Sequence, residues 1–118
     1  TQKILDKNIS VNATAVRIPV LVGHAESIFI ETEKEINDEL ARELLSKFDG
    51  ITVIDDTKDI DFPTPFIQGH GTDEVYVGRI RKGLDQNNTL NLWVVADNVR
   101  KGAALNSVQI AEALIRSQ

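Results

Sequence analysis

Arg17 and His24 are the two side chains whose type and setting point to chemistry. Arg17 stands among apolar neighbours in the run 11–22, VNATAVRIPVLV. A guanidinium there must reach solvent, pair with an acid or meet an anionic ligand, because an unpaired buried charge is too costly. Snorkelling to the surface is the commonest outcome. His24 follows Gly23 at a predicted turn. Imidazole is the side chain that ordinarily titrates near neutral pH, which makes His24 the best general acid–base candidate in the chain, although a solvated loop histidine is the plainer reading. The two residues are seven positions apart, an odd spacing that sends them to opposite faces of a straight strand. A shared pocket requires a bend at Pro19 or Gly23, and both breakers are present.

Other motifs carry less. His70 lies in GHGTD, where flanking glycines predict mobility. The stretch 97–104, DNVRKGAA, passes from a predicted strand into a predicted helix. Helix N-termini attract phosphates, but this is neither a P-loop nor a dinucleotide fingerprint, and a capping turn explains it. Glu31, Glu33 and Glu35 read as a solvated face, and no metal-ligand spacing is visible. The chain has no cysteine, which removes disulfides, thiolate zinc sites and a cysteine nucleophile from these residues.

The positioning elements follow from periodicity. Residues 11–22 are rich in β-branched types and read as a strand, with a second at 27–32 and a β-β pair around Gly23. Ile36, Leu40, Ala41, Leu44, Leu45 and Phe48 recur at helical spacing over 36–48. Asn37 can cap that helix, Asp38 and Glu39 suit its positive end, and Gly50 can stop it. A short strand at 51–55 precedes a long surface loop, 56–73. Strand 74–82 follows, with Gly78 as a candidate bulge. A turn over 83–89 leads into strand 90–97. There Leu90, Leu92 and Val94 share one face, and Trp93 and Val95 the other, so this strand should be central and covered on both sides. A helix over about 101–115, capped by Asp97 or Asn98, ends the pattern. The order β-β-α-β-loop-β-β-α indicates an α+β fold, helices covering a mostly antiparallel or mixed sheet.

Length and charge bound the function. The 118 residues are one domain or a piece of one, with 42% hydrophobic and 26% charged residues. A net charge of -5 disfavours nucleic acid, Arg79, Arg81 and Lys82 being the nearest basic patch. No apolar run is long enough to span a bilayer, and residues 1–8 lack a signal-peptide core. A soluble cytoplasmic protein is expected. A chain that has no methionine and begins at Thr1 is either trimmed or a portion of a longer product.

The segments VNATAVRIPVLVGHAESIFIE, EVYVGRIRKG and LNLWVVADNVRKGAALNSVQIAEALI, in that order, resemble the C-terminal part of bacterial aspartate-β-semialdehyde dehydrogenase. The strings RIPVLVGH and DNVRKGAALNSVQIAE are the most specific. The resemblance implies a GAPDH-like C-terminal domain, the semialdehyde dehydrogenase dimerisation domain, here incomplete. The final helix would pack on an NADP-binding domain not contained in residues 1–118. The implied reaction is NADP-dependent reductive dephosphorylation of L-aspartyl 4-phosphate to L-aspartate 4-semialdehyde and phosphate. It serves lysine, threonine, methionine and diaminopimelate biosynthesis. By motif, Arg17 would bind the substrate carboxylate, for which a bidentate fork is the right shape. His24 would be the catalytic acid–base, and Gln109 would contact NADP. No metal is implied, and a homodimer or homotetramer is. The nucleophilic cysteine would lie outside these residues, so the chain alone should be inactive. N-acetyl-γ-glutamyl-phosphate reductase and a non-catalytic dimerisation or binding module are the alternatives.

Overall fold

The hydrophobic pattern resolves into four strands and two helices in a computed structural model that describes residues 1–56, 58–59, 61–84 and 86–117. Thr57 and Ile60 of the predicted loop and Asp85 of the predicted turn lie outside the described residues. Strand β1 is His24–Glu31, helix α1 Asp38–Ser46, β2 Ile51–Val53, β3 Val75–Lys82 and β4 Thr89–Ala96. A π turn, Arg100–Ala104, leads into helix α2, Leu105–Arg116. The sheet order is β1-β4-β3-β2. β4 pairs antiparallel with both β1 and β3, while β2 runs parallel to β3. The expected α+β class with a mixed sheet is what forms.

β4 is central, as its two apolar faces require. On one face, Ala41 of α1 packs with Val77, Ile80 and Leu90, and Leu92, Val94 and Ile30 extend the cluster. On the other, Val95 is fully buried, and the Trp93 indole N–H donates to the Pro63 carbonyl at 2.8 Å. Pro63 is itself fully buried. The predicted surface loop is therefore the second cover of the sheet, and α1 is the first. Gly78 lies where that cover comes closest: a Cβ there would sit 2.2 Å from the Ile54 carbonyl oxygen and 2.6 Å from Pro63 Cδ. The pairing of β3 with β4 shifts register between Gly78 and Arg81, and Arg79 takes a positive φ of 50°. The bulge is thus real, and the chain kinks where only a bare backbone fits.

Helix α1 starts as its sequence indicates. The Asn37 side chain accepts from the Leu40 N–H at 2.7 Å, and Asp38 and Glu39 occupy the first turn. Lys47 is its C-cap, and Gly50, with φ 79°, turns the chain into β2.

Two further expectations are corrected. Residues 11–22 do not form a strand, and no β-β pair closes around Gly23, because β1 takes its partner from β4 instead. A segment with no ladder partner has nowhere to place its backbone hydrogen bonds and stays irregular. Its apolar side chains remain in solvent, Val16 at 77% and Leu21 at 104% exposure. The C-terminal helix also differs in its role. It has no buried residue and packs chiefly on the π turn before it, so it extends from the sheet without covering it.

These two arms show in the dimensions. The radius of gyration is 15.2 Å, against roughly 13.5 Å for a compact chain of this length. The accessible surface is 9280 Å², whereas a compact monomer of this mass exposes about 6,400 Å². Among the described residues, no helix is long and apolar enough to cross a membrane.

Candidate functional site

The C-terminal end of β4 is a junction for three segments distant in sequence. It is organised by Asp97 and Asn98, the two residues that follow the strand. One Asp97 carboxylate oxygen accepts from the Val99 and Arg100 N–H groups at 2.8 and 3.0 Å, holding the chain where it enters the π turn. The other accepts from the Gly71 N–H at 2.8 Å and ties down the GHGTD loop. Asp97 is only 3% exposed. These contacts hold its carboxyl below the usual carboxylate range: the Gly71 N–H contributes most, burial opposes, and the Arg100 and Val99 N–H groups and the nearby His70 add to it. Beside it, the Asn98 side-chain oxygen accepts from the Gly23 N–H at 2.8 Å.

Gly23 bends the chain into β1 without bringing Arg17 to His24. Its φ is 111°, and a Cβ would lie 2.7 Å from the Pro65 carbonyl oxygen and 3.1 Å from that of Gly69. Glycine is required here by conformation and by contact alike. His24 then opens β1, directly opposite Ala96. Its Nε2 lies 2.8 Å from Glu26 Oε1, and both side chains are exposed. Residues two apart on a strand share a face. The register with Val94 puts that face on the side of the sheet that carries α1.

Gln109 sits half-buried on α2, where its side-chain oxygen accepts from Lys101 Nζ at 2.7 Å. Arg100, next to Lys101, forms an ion pair with Asp73 beyond the GHGTD glycines. That pair raises the Arg100 pKa further. His70 is exposed on its loop.

Arg17 stands apart. It is exposed on the irregular segment and joins no hydrogen bond or ion pair among the described residues. The structure therefore brings His24 together with Glu26 at the β4 junction and fixes Gln109 through Lys101, but it does not bring Arg17 to His24.

Sequence reasoning missed Glu26, Asn98 as a clamp, and Lys101. The spacing His-x-Glu at the start of a strand was the available signal for Glu26, since alternation alone puts both side chains on one face. Asn98 and Lys101 carry none, because their partners lie far along the chain or one helical stretch away. Among the described residues, no cluster suits a metal ion.

The junction combines an exposed imidazole, an adjacent carboxylate, a clamped turn and an amide-bearing helix. Known proteins are similar to this chain along nearly its whole length. The profile described as semialdehyde dehydrogenase, dimerisation domain, matches residues 1–101. The aspartate-semialdehyde dehydrogenase of Aquifex aeolicus is 56% identical over 117 residues, 98% of this chain and 34% of that protein. That of Legionella pneumophila is 50% identical over the same extent. The crystal structure of aspartate semialdehyde dehydrogenase II from Vibrio cholerae, complexed with ASA, superposes with a TM-score of 0.89 at 49% identity, covering 98% of this chain and 34% of that one. The chain thus spans about a third of the length of the relatives it matches, and it belongs to the semialdehyde dehydrogenase dimerisation-domain family.

Proposed function

We propose that these residues are the C-terminal portion of the catalytic and dimerisation domain of an NADP-dependent aspartate-semialdehyde dehydrogenase. The observation that carries the reading is His24. It is exposed and paired with a carboxylate, and it is held at the start of the edge strand β1, opposite the last residue of β4, by a glycine bend that tolerates no side chain. An acid–base group needs this combination of access and fixed position. The relatives with 50–56% identity carry the name of this activity.

In the complete protein, a cysteine from outside these residues attacks the acyl carbon of L-aspartyl 4-phosphate. His24 takes the thiol proton and later manages the proton on the tetrahedral oxygen. Arg17 grips the substrate α-carboxylate once a neighbouring segment orders residues 11–22. NADPH supplies the hydride when bound. Gln109 suits a contact with it, since Lys101 occupies the amide oxygen and leaves the amide N–H groups for an acceptor on the nicotinamide. The stretch from Asn98 to Gln109 packs back on the cofactor domain, which accounts for a helix with no buried residue of its own. The product is L-aspartate 4-semialdehyde, with phosphate released, in the cytoplasm. Residues 1–118 alone turn nothing over, because they contain no cysteine.

The test is steady-state kinetics on the longest native chain that carries these residues. His24→Ala is expected to lower kcat by on the order of 10²–10⁴. Arg17→Lys is expected mainly to raise KM for the semialdehyde, because an ammonium cannot replace the planar fork. Near-normal constants in both variants would refute the assignment.

A further inference from the structure

We infer that Glu26 is the positioning residue of His24, holding the imidazole by Nε2 so that Nδ1 is the nitrogen that exchanges the proton. The inference rests on the acid–base reading of His24 above. Three observations carry it. Glu26 Oε1 lies 2.8 Å from Nε2, within ordinary hydrogen-bond distance. The two residues share a face of one strand at a spacing of two, so the contact is built into the strand geometry and needs no loop to hold it. The backbone beneath the ring is pinned from both sides, by the Asn98 side chain on the Gly23 N–H and by the ladder with β4 that begins at His24 and Ala96.

A carboxylate accepts hydrogen bonds and donates none when ionised. Glu26 therefore requires the proton on Nε2, and the Nδ1 lone pair is left free. When Nδ1 takes a proton from an incoming thiol, the ring becomes imidazolium with an N–H on each nitrogen. The Glu26 carboxylate faces that positive charge without receiving a proton. When Nδ1 gives the proton up, the starting tautomer returns. An exposed pair contributes little to stability, so the contact is expected to act on rate and not on folding.

A double-mutant cycle in the longest native chain tests this, with Glu26→Ala, Glu26→Gln, His24→Ala and the His24→Ala/Glu26→Ala double variant. Glu26→Ala is expected to lower kcat about tenfold, with KM for the semialdehyde within about twofold of the parent and the melting temperature unchanged. Glu26→Gln, which keeps an acceptor oxygen, restores part of that loss. In the His24→Ala background, removing Glu26 changes nothing further, because a residue acting only through His24 has nothing left to act on. A parental kcat in Glu26→Ala overturns the role. So does a Glu26→Gln rate no better than that of Glu26→Ala, or a Glu26→Ala loss that persists without His24. If His24→Ala itself keeps a parental kcat, the acid–base reading fails and Glu26 falls with it. A slow His24→Ala beside a parental Glu26→Ala rejects Glu26 alone.

Discussion

Gly23 bears the tightest residue-scale constraint next to the candidate acid–base group. A methyl group added there meets the Pro65 carbonyl oxygen at 2.7 Å, on a backbone already at φ 111°. Both effects penalise Gly23→Ala, together by roughly 1–3 kcal/mol. A urea titration should show the midpoint falling with an unchanged slope. Asp97 makes a different residue-scale prediction. Its folded pKa is lowered from the ordinary 3.8 by the N–H groups it accepts from. The stability it contributes is therefore whole above about pH 4 and is lost as pH falls through the lowered folded value. Asp97→Asn removes that charge. Compared at neutral pH and again below pH 3, the variant's deficit should be large at the first and shrink at the second. A deficit that grows on acidification would contradict the sign.

Among elements, the joint between α1 and the β3 bulge depends on Arg42. Its guanidinium donates to Asp38 at 2.6 Å, to Asp55 at 2.8 Å and to the Ile80 carbonyl at 2.7 Å. Asp55 is the buried partner, at 6% side-chain exposure, and it also accepts from the Ile80 N–H. Arg42→Met would leave that carboxylate without its cation at a cost of about 1–3 kcal/mol, and thermal unfolding would register it. The same pairing holds the Asp38 carboxyl below its ordinary range, the Arg42 hydrogen bond being the largest cause. Elements were legible in the sequence where a local rule governs them. Leu90, Leu92 and Val94 against Trp93 and Val95 announced a central strand, Asn37 a helix start and Gly78 a bulge. Residues 11–22 have strand composition but no strand to pair with, and composition does not reveal a partner. The π turn over Arg100–Ala104 was hidden because its apolar spacing merges with that of the helix after it. The loop over Trp93 has the composition of a surface loop, because the packing of Pro63 depends on contacts far along the chain. At the site, His24 was legible by residue type, whereas its gathering with Asn98 and the GHGTD loop depends on hydrogen bonds spanning 75 and 26 positions.

The whole molecule exposes 9280 Å², nearly 3,000 Å² beyond the roughly 6,400 Å² of a compact monomer of this mass. Val16, Leu21, Phe29, Leu114 and Ile115 lie within that excess. Excess surface on this scale, with apolar side chains in it, matches what stable subunit interfaces bury. Light scattering across a concentration series should report a dimer or larger for the protein. A clean monomer at every concentration would reject the expectation.

The pairing of His24 with Ala96 has a mechanical consequence. The chain enters the sheet at one of these residues and leaves it at the other, and as cross-strand partners their Cα atoms are about 5 Å apart. Tension applied through the flanking segments therefore pulls at a single corner. It peels β1 from β4 one pair at a time and does not shear the whole ladder at once. His24 against Ala96 is the first pair loaded, and Glu31 against Thr89 the last. A tug on the flanks would thus undo the His24 corner while the cluster around Leu90 still held.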